Sequence, residues 1–286
     1  MTNTEMFKLK LQDKGPQTAR IRGKPVKLPM KLTLTAGWNW MPYPYQEPSS
    51  LLDSGGNFDH SVLTNGDIFK RNNQQFTRWY DVTGYKGWIG SPKAQHLEPG
   101  EGHKLLLASG GNFTFFSPQG RRQLANPMSS ASGIDVHIES LWASACRGGG
   151  SNDSDPSTWS VAEGHFQTSN LMTIGVKIDG KIMNGGWLAA FVGDEIRGVQ
   201  KDQGNVPRVD IAGEWAGTKV FSLAVQGNIE DGDSNKMIKF HYSVDGTYSV
   251  KLDTTIMWEA DAVVGSAFNP FVVMTKCAES LRTQVV

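Results

Sequence analysis

Apolar and polar residues alternate along much of this chain in short stretches, with the two-residue period of a β-strand. One such stretch begins at Leu32-Thr33-Leu34 and is predicted to end near Trp40. Turn-forming pairs such as Asn65-Gly66 and Pro99-Gly100 separate the stretches that follow. The pattern predicts further short strands in the first half of the chain, at residues 67–70, 76–80, 87–90, 104–107 and 113–116.

The second half repeats this pattern around a continuous apolar run, Trp187-Leu188-Ala189-Ala190-Phe191-Val192, which is typical of a buried strand. Asp179-Gly180 and Gly193-Asp194 are predicted to be hairpin turns. Almost no window of the sequence has the periodicity of a helix. The pattern therefore predicts an all-β fold of two β-sandwich-like modules in tandem. Strands in the second half are predicted at residues 172–178, 187–192, 195–199, 220–225, 236–240 and 247–250.

Changes in composition divide the chain further. The N-terminal arm contains Phe7-Lys8-Leu9-Lys10-Leu11, whose strict alternation suits an edge strand, while a disordered arm is the alternative. Between the modules, Arg147-Gly148-Gly149-Gly150-Ser151 has the composition of a linker. The predicted boundaries are 1–30 for the extended arm, 31–120 for the first β module, 121–157 for the connector, 158–275 for the second β module and 276–286 for a short C-terminal tail.

The charge balance of the chain excludes some classes of partner. Lys and Arg together number 28, as do Asp and Glu, so the formal net charge is zero. A protein without an excess of basic residues is not expected to bind nucleic acid. Because a neutral protein does not repel copies of itself over long range, the composition permits self-association.

Neither the cysteine spacing nor the hydropathy predicts a metal site or a membrane-spanning segment. Cys146 and Cys277 lie far apart and fit no metal-ligand spacing. Separate reduced thiols are the favoured interpretation, and the alternative is a disulfide that ties the connector to the tail. No apolar run reaches the roughly 18–20 residues that cross a bilayer, so no transmembrane segment is predicted. The stretch from Met1 to Phe7 has no apolar core of a signal peptide.

Residues that could carry catalysis are scattered. The six histidines occur singly, and neither a Gly-x-Ser-x-Gly motif nor a P-loop is present. Asp194-Glu195 and Glu230-Asp231-Gly232-Asp233 are interpreted as solvated turns. The second of these lacks the glycine placement and terminal glutamate of a calcium loop. The sequence therefore predicts no catalytic residue, no cofactor and no metal, and the protein is not expected to be an enzyme.

Two groups of aromatic residues in the first module are candidates for a surface. Trp38 and Trp40 are two residues apart on a predicted strand, so both face the same side of its sheet. They form either a platform for sugar rings or a partner, or part of the core, and the burial tendency of aromatic residues favours the core. Tyr43 and Tyr45 lie among prolines, which predicts a rigid extended stretch that presents them as a contact surface.

Several motifs resemble those of known β modules. A module common in bacterial and algal multidomain proteins is similar to the first half in Gly37-Trp38-Asn39-Trp40, Gly66-Asp67-Ile68-Phe69-Lys70, Gly87-Trp88-Ile89-Gly90-Ser91 and Leu97-Glu98-Pro99-Gly100-Glu101-Gly102. Its usual companion, an immunoglobulin-like sandwich, is similar to the second half in Leu188-Ala189-Ala190-Phe191-Val192, Arg197-Gly198-Val199 and Val264-Gly265-Ser266 before Asn269-Pro270-Phe271. Such a pair with an arm and a tail resembles the diatom pyrenoid shell proteins, plastid proteins that tile into a sheet around the Rubisco condensate.

The resemblance implies a non-enzymatic structural protein that self-assembles into a sheet or shell, encases the pyrenoid Rubisco matrix and supports CO2 fixation. Its location would be the chloroplast, at the pyrenoid periphery. Its partners would be copies of itself in a homo-oligomeric lattice, together with components of the Rubisco matrix.

Assembly is predicted to use lateral contacts between module edges and faces, with the arm or the tail reaching onto a neighbouring copy. An exposed strand edge can accept such an extended segment through main-chain hydrogen bonds. The alternative function is a carbohydrate-binding or adhesion module of a secreted or cell-surface protein, marked by exposed tryptophans beside Asp or Asn. The predicted contact residues are Phe7, Leu9, Leu11, Tyr43, Tyr45 and Leu281.

Overall fold

The computed structural model of the chain describes residues 26–51, 58–71, 75–82, 85–117, 155–162, 166–201, 214–215 and 218–276. Within these ranges the chain forms eighteen β-strands and four short 3-10 helices, without an α-helix. The predicted all-β fold is confirmed.

The chain divides into two compact units. The first comprises Met1–Asn72, Arg78–Trp88 and Pro92–Leu124, and the second comprises Asn73–Thr77, Ile89–Ser91 and Ala125–Val286. Because residues 118–154 lie outside the described ranges, the predicted boundaries of the connector and of the two modules stay predictions.

The strands of the first module form three antiparallel sheets. The largest has five strands in the order β2-β8-β4-β5-β6, and β1-β9 and β3-β7 are two-stranded. The strands are β1 (Met30–Leu34), β2 (Gly37–Met41), β3 (Ser49–Ser50), β4 (Ile68–Arg71), β5 (Gln75–Val82), β6 (Tyr85–Gly90), β7 (His96–Leu97), β8 (His103–Leu107) and β9 (Gly111–Phe115).

The stretch from Leu32 to Trp40, predicted as one strand, is two strands in different sheets. β1 pairs with β9, whereas β2 pairs with β8. The chain bends between them at Gly37, whose φ of +93° is a conformation that side chains disfavour. The amide side chain of Asn39 holds this bend, since it accepts a hydrogen bond from Thr35 N at 3.0 Å and donates one to Thr35 O at 2.7 Å.

The core of the first module is rich in aromatic rings. Trp79 of β5 and Trp88 of β6 meet in it with ring centroids 5.4 Å apart. At the end of β6, Gly90 has a φ of +149°, and an added Cβ would lie 2.7 Å from Phe76 O. This glycine of the Gly87-Trp88-Ile89-Gly90-Ser91 motif therefore permits β5 and β6 to approach. The other aromatic residues of this core are Tyr45, Phe58, Phe69, Phe113 and Phe115.

The second module is a sandwich of a five-stranded and a four-stranded sheet, as predicted. In the first sheet β10 pairs with β11 and β14 antiparallel and with β17 and β18 parallel. The second sheet has the antiparallel order β13-β12-β15-β16. The strands are β10 (Thr168–Ile178), β11 (Lys181–Ile182), β12 (Trp187–Val192), β13 (Glu195–Gln200), β14 (Phe221–Gly227), β15 (Met237–Ser243), β16 (Val250–Met257), β17 (Val263–Val264) and β18 (Phe271–Thr275).

Alternation along the strands builds the core of this sandwich. Every second residue of β10, from Met172 to Ile178, points between the sheets, and β12 and β15 contribute in the same way. The hairpin turns predicted at Asp179-Gly180 and Gly193-Asp194 are confirmed. Asp179 and Gly180 have φ angles of 51° and 78°, the positive values that such two-residue turns require.

A network of charged groups surrounds Asp233 in the second module. It corrects the interpretation of Glu230-Asp231-Gly232-Asp233 as a solvated turn for Asp233, whereas Glu230 and Asp231 are exposed. Asp233 is fully buried. Its carboxylate accepts hydrogen bonds from Arg197 Nη1 at 2.9 Å, Lys236 Nζ at 2.8 Å and Asn228 N at 2.8 Å. Burial alone raises the pKa of this carboxyl, but the three donors outweigh it and hold the pKa below its ordinary value.

Candidate functional site

Of the predicted contact residues, the structure describes Tyr43 and Tyr45. Phe7, Leu9, Leu11 and Leu281 lie outside the described residues. The expectation of a surface position is wrong for Tyr45, which lies in the core with 5% of its surface exposed. Its hydroxyl donates to Phe116 O at 2.8 Å, and burial raises the pKa of this hydroxyl. A contact role for Tyr45 therefore has no accessible surface to use.

Tyr43 is partly buried and packs against the same core. Its ring lies edge-on to that of Tyr45, with centroids 5.4 Å apart. Its hydroxyl donates to Glu47 O at 2.6 Å and lies 2.9 Å from Ser49 Oγ. These bonds anchor the proline-rich stretch to β3, and a contact at Tyr43 stays a prediction.

Trp38 and Trp40 lie on β2, at one edge of the five-stranded sheet. Core packing was the favoured interpretation, and it is wrong for Trp40, whose side chain is 50% exposed. Trp40 faces Lys104 across β2 and β8, and Lys104 Nζ lies 4.4 Å from the Trp40 ring centroid and 5.9 Å from that of Trp38. We call Trp38, Trp40 and Lys104 the tryptophan edge. A half-exposed indole beside a cation can stack against a flat or sugar ring.

A second exposed apolar surface lies at the edge of the four-stranded sheet in the second module. Met237 of β15 and Met257 of β16 are directly opposite in the register of the two strands. Their side chains are 40% and 50% exposed. We call these two residues the methionine pair. Sequence patterns did not predict this pair, because Met257 lies outside every predicted strand.

Arg71 organises a polar cluster in the first module. Its guanidinium forms an ion pair with Glu101, lies 3.8 Å from Glu98 and donates to the carbonyl oxygens of Lys93 and His96 at 3.1 Å each. The Leu97-Glu98-Pro99-Gly100-Glu101-Gly102 motif thus contributes structural ion pairs. No cluster of His, Cys, Asp and Glu that could hold a metal occurs among the described residues.

Comparison with protein-family models, with curated proteins and with solved structures finds no match for this chain. In the part of the chain that the structure describes, no helix is long and apolar enough to span a membrane.

Acidification is expected to destabilise the first module through His103, which is buried beside Glu101 with Nε2 at 3.8 Å from Oε2. Burial lowers the pKa of His103 to about 4. Between roughly pH 6.5 and 4 the unfolded chain binds a proton at this site that the folded chain does not. The free energy of unfolding should therefore fall by roughly 3 kcal/mol over this window through His103 alone.

Urea unfolding of the wild type and of His103→Gln, followed from pH 7 to pH 4, measures this contribution. The variant should show a shallower loss of stability with falling pH, because it lacks the titrating imidazole. Parallel curves for the two proteins would contradict the assignment.

Proposed function

We propose that this protein is a non-enzymatic structural protein that assembles with copies of itself into a sheet or shell. The observation that carries the proposal is the methionine pair. Two neighbouring apolar side chains are exposed together on adjacent strands, where a second copy of the chain would cover them. Methionine suits such a contact because its unbranched side chain adapts to the opposing surface.

Charge and strand edges support the same proposal. The formal net charge of zero leaves copies free to approach without long-range repulsion. Among the described residues, no strand pairs with the outer side of β2, so its main-chain groups can accept an extended segment. The arm residues Phe7, Leu9 and Leu11 and the tail residue Leu281 would supply such segments to a neighbouring copy.

The motif residues that the structure describes hold the fold of each module together. Asp67 accepts hydrogen bonds from Thr64 N at 2.7 Å and Ala108 N at 2.8 Å, and so joins two turns. Gly198 lets β13 approach β14, since an added Cβ would lie 2.9 Å from Ala224 O. These residues build the fold. By resemblance to the diatom pyrenoid shell proteins, the assembly would encase the Rubisco matrix in the chloroplast and support CO2 fixation.

Replacing both residues of the methionine pair by lysine, Met237→Lys with Met257→Lys, is expected to weaken assembly. The change removes the apolar contact and places two like charges opposite each other on adjacent strands. Because burying one such side chain contributes roughly 1.5–3 kcal/mol, the concentration at which assembly begins should rise at least about tenfold. Sedimentation velocity over a concentration series measures it.

The control for this variant is Ile229→Lys, which makes the same change at an exposed apolar residue outside the strands. Circular dichroism should show that all three proteins keep their β-structure. Assembly of the double variant at the wild-type concentration, or equal weakening by Ile229→Lys, would contradict a contact at the methionine pair.

The second candidate function is a carbohydrate-binding or adhesion module of a secreted or surface protein. The exposed ring of Trp40, beside Trp38 on the same sheet face, favours it, because sugar rings stack on exposed aromatic faces. Polysaccharides would then quench the tryptophan fluorescence of the wild type and of Phe116→Ala, an exposed aromatic control, but not of Trp40→Ala. Unchanged fluorescence in all three proteins would exclude this function for the tryptophan edge.

A further inference from the structure

The proposed assembly surface consists of two residues whose sulfur atoms peroxides oxidise reversibly. We propose that the methionine pair is an oxidation site, and that conversion of Met237 and Met257 to methionine sulfoxide blocks self-assembly. The inference rests on the proposed function, because it assigns a chemical control to the same surface.

Exposure separates the methionine pair from most other methionines that the structure describes. Met237, Met257 and Met274 are exposed, the last at 46%. Four further methionines are buried in the cores: Met30, Met41, Met172 and Met183. Since oxidation follows access of the peroxide to sulfur, the exposed methionines should react first.

The thioether is the only protein group that takes part in the oxidation by peroxide. Hydrogen peroxide transfers one oxygen atom to the sulfur of Met237 or Met257. The sulfur gives up two electrons, the O–O bond breaks, an S–O bond forms and one water leaves. Methionine sulfoxide reductases reverse the step with two electrons from a pair of thiols, which become a disulfide as one water is released, and each of the two enzyme types acts on one sulfoxide epimer.

The register of the two strands makes the effect of oxidation local. Cross-strand neighbours have Cβ atoms about 4.5–5.5 Å apart, so both sulfoxides would appear at one spot of the surface. A sulfoxide oxygen is a polar acceptor, and burying it in an apolar contact without a donor is unfavourable. An oxidised copy should therefore fail to join its neighbours while its own fold stays intact, because the methionine pair lies outside the core.

The test compares the full-length wild type with Met237→Leu combined with Met257→Leu, before and after dilute hydrogen peroxide. Leucine keeps the apolar contact and removes the oxidisable sulfur, while every other methionine remains. Peroxide should raise the assembly concentration of the wild type at least about tenfold and leave the leucine variant unchanged. Peptide mass mapping should show oxidation of Met237 and Met257, and treatment with both reductases should restore assembly.

Met274→Leu is the matched control, because Met274 is exposed on another sheet. Its assembly should be as sensitive to peroxide as that of the wild type. A wild type that does not assemble before treatment would overturn the proposed function and this inference together. A wild type that assembles, carries both sulfoxides and still assembles equally well would overturn the inference alone, as would a leucine variant that peroxide disrupts to the same degree.

Discussion

Asp233→Ala is expected to lower the free energy of unfolding by about 3–5 kcal/mol. The carboxylate is fully buried and receives hydrogen bonds from Arg197, Lys236 and the main-chain N–H of Asn228. Arg197 is buried as well, so removal of Asp233 leaves its charge without its closest buried partner. Glu195, the other acid within reach of Arg197, lies at 3.0 Å but is largely exposed, so it cannot replace the lost interaction.

Urea unfolding at neutral pH measures this loss, and Asp231→Ala is the control. Asp231 lies two residues away in the same loop and is exposed, and its carboxylate accepts a hydrogen bond from the side chain of Asn228 at 2.8 Å. Its replacement should change the unfolding free energy by less than about 1 kcal/mol. Similar losses for the two variants would show that the buried network does not hold the second module.

Gly265→Ala is expected to destabilise the second module by about 2–5 kcal/mol, from two separate causes. Gly265 has a φ of +71°, where a side chain costs about 1–2 kcal/mol. An added Cβ would also overlap Thr173 O and lie 2.6 Å from Phe271 N. Both are backbone atoms, Thr173 in β10 and Phe271 in β18, so relief requires the central strands to shift at a further cost of about 1–3 kcal/mol.

Gly193→Ala separates the two causes. Gly193 has a φ of +67°, but an added Cβ there meets no atom within 4 Å. This variant should show the backbone term alone, about 1–2 kcal/mol. Thermal or urea unfolding of both variants decides the matter, and equal losses would mean that the approach of Gly265 to β10 is looser than the structure has it.

The alternation of apolar and polar residues predicted most strands because sheet burial has the same period. It failed where the buried face is interrupted. β16 was predicted at residues 247–250, yet it starts at Val250 and continues to Met257. Its register against β15 shifts between Lys239 and His241, and polar residues such as Asp253 and Thr254 hide the alternation beyond that point. Met257, and with it the methionine pair, was missed for this reason.

The burial of two aromatic residues near the start of the first module was predicted wrongly, one as exposed and one as buried. Tyr45 follows Pro44, which suggested an exposed extended stretch, but its ring packs between Phe58 and Phe115. Trp40 was expected in the core, but it lies on the edge strand β2 and is half-exposed. Neither outcome follows from local sequence, because the order of strands in a sheet decides which side chains are covered.

Negative-stain electron microscopy of the purified full-length chain, over a range of concentrations and salt, tests the proposed self-assembly most directly. The proposal predicts ordered sheets or shells that persist as salt rises, because the contact at the methionine pair is apolar and is not screened. Monodisperse particles at high concentration under every salt condition would contradict self-assembly as the function of this protein.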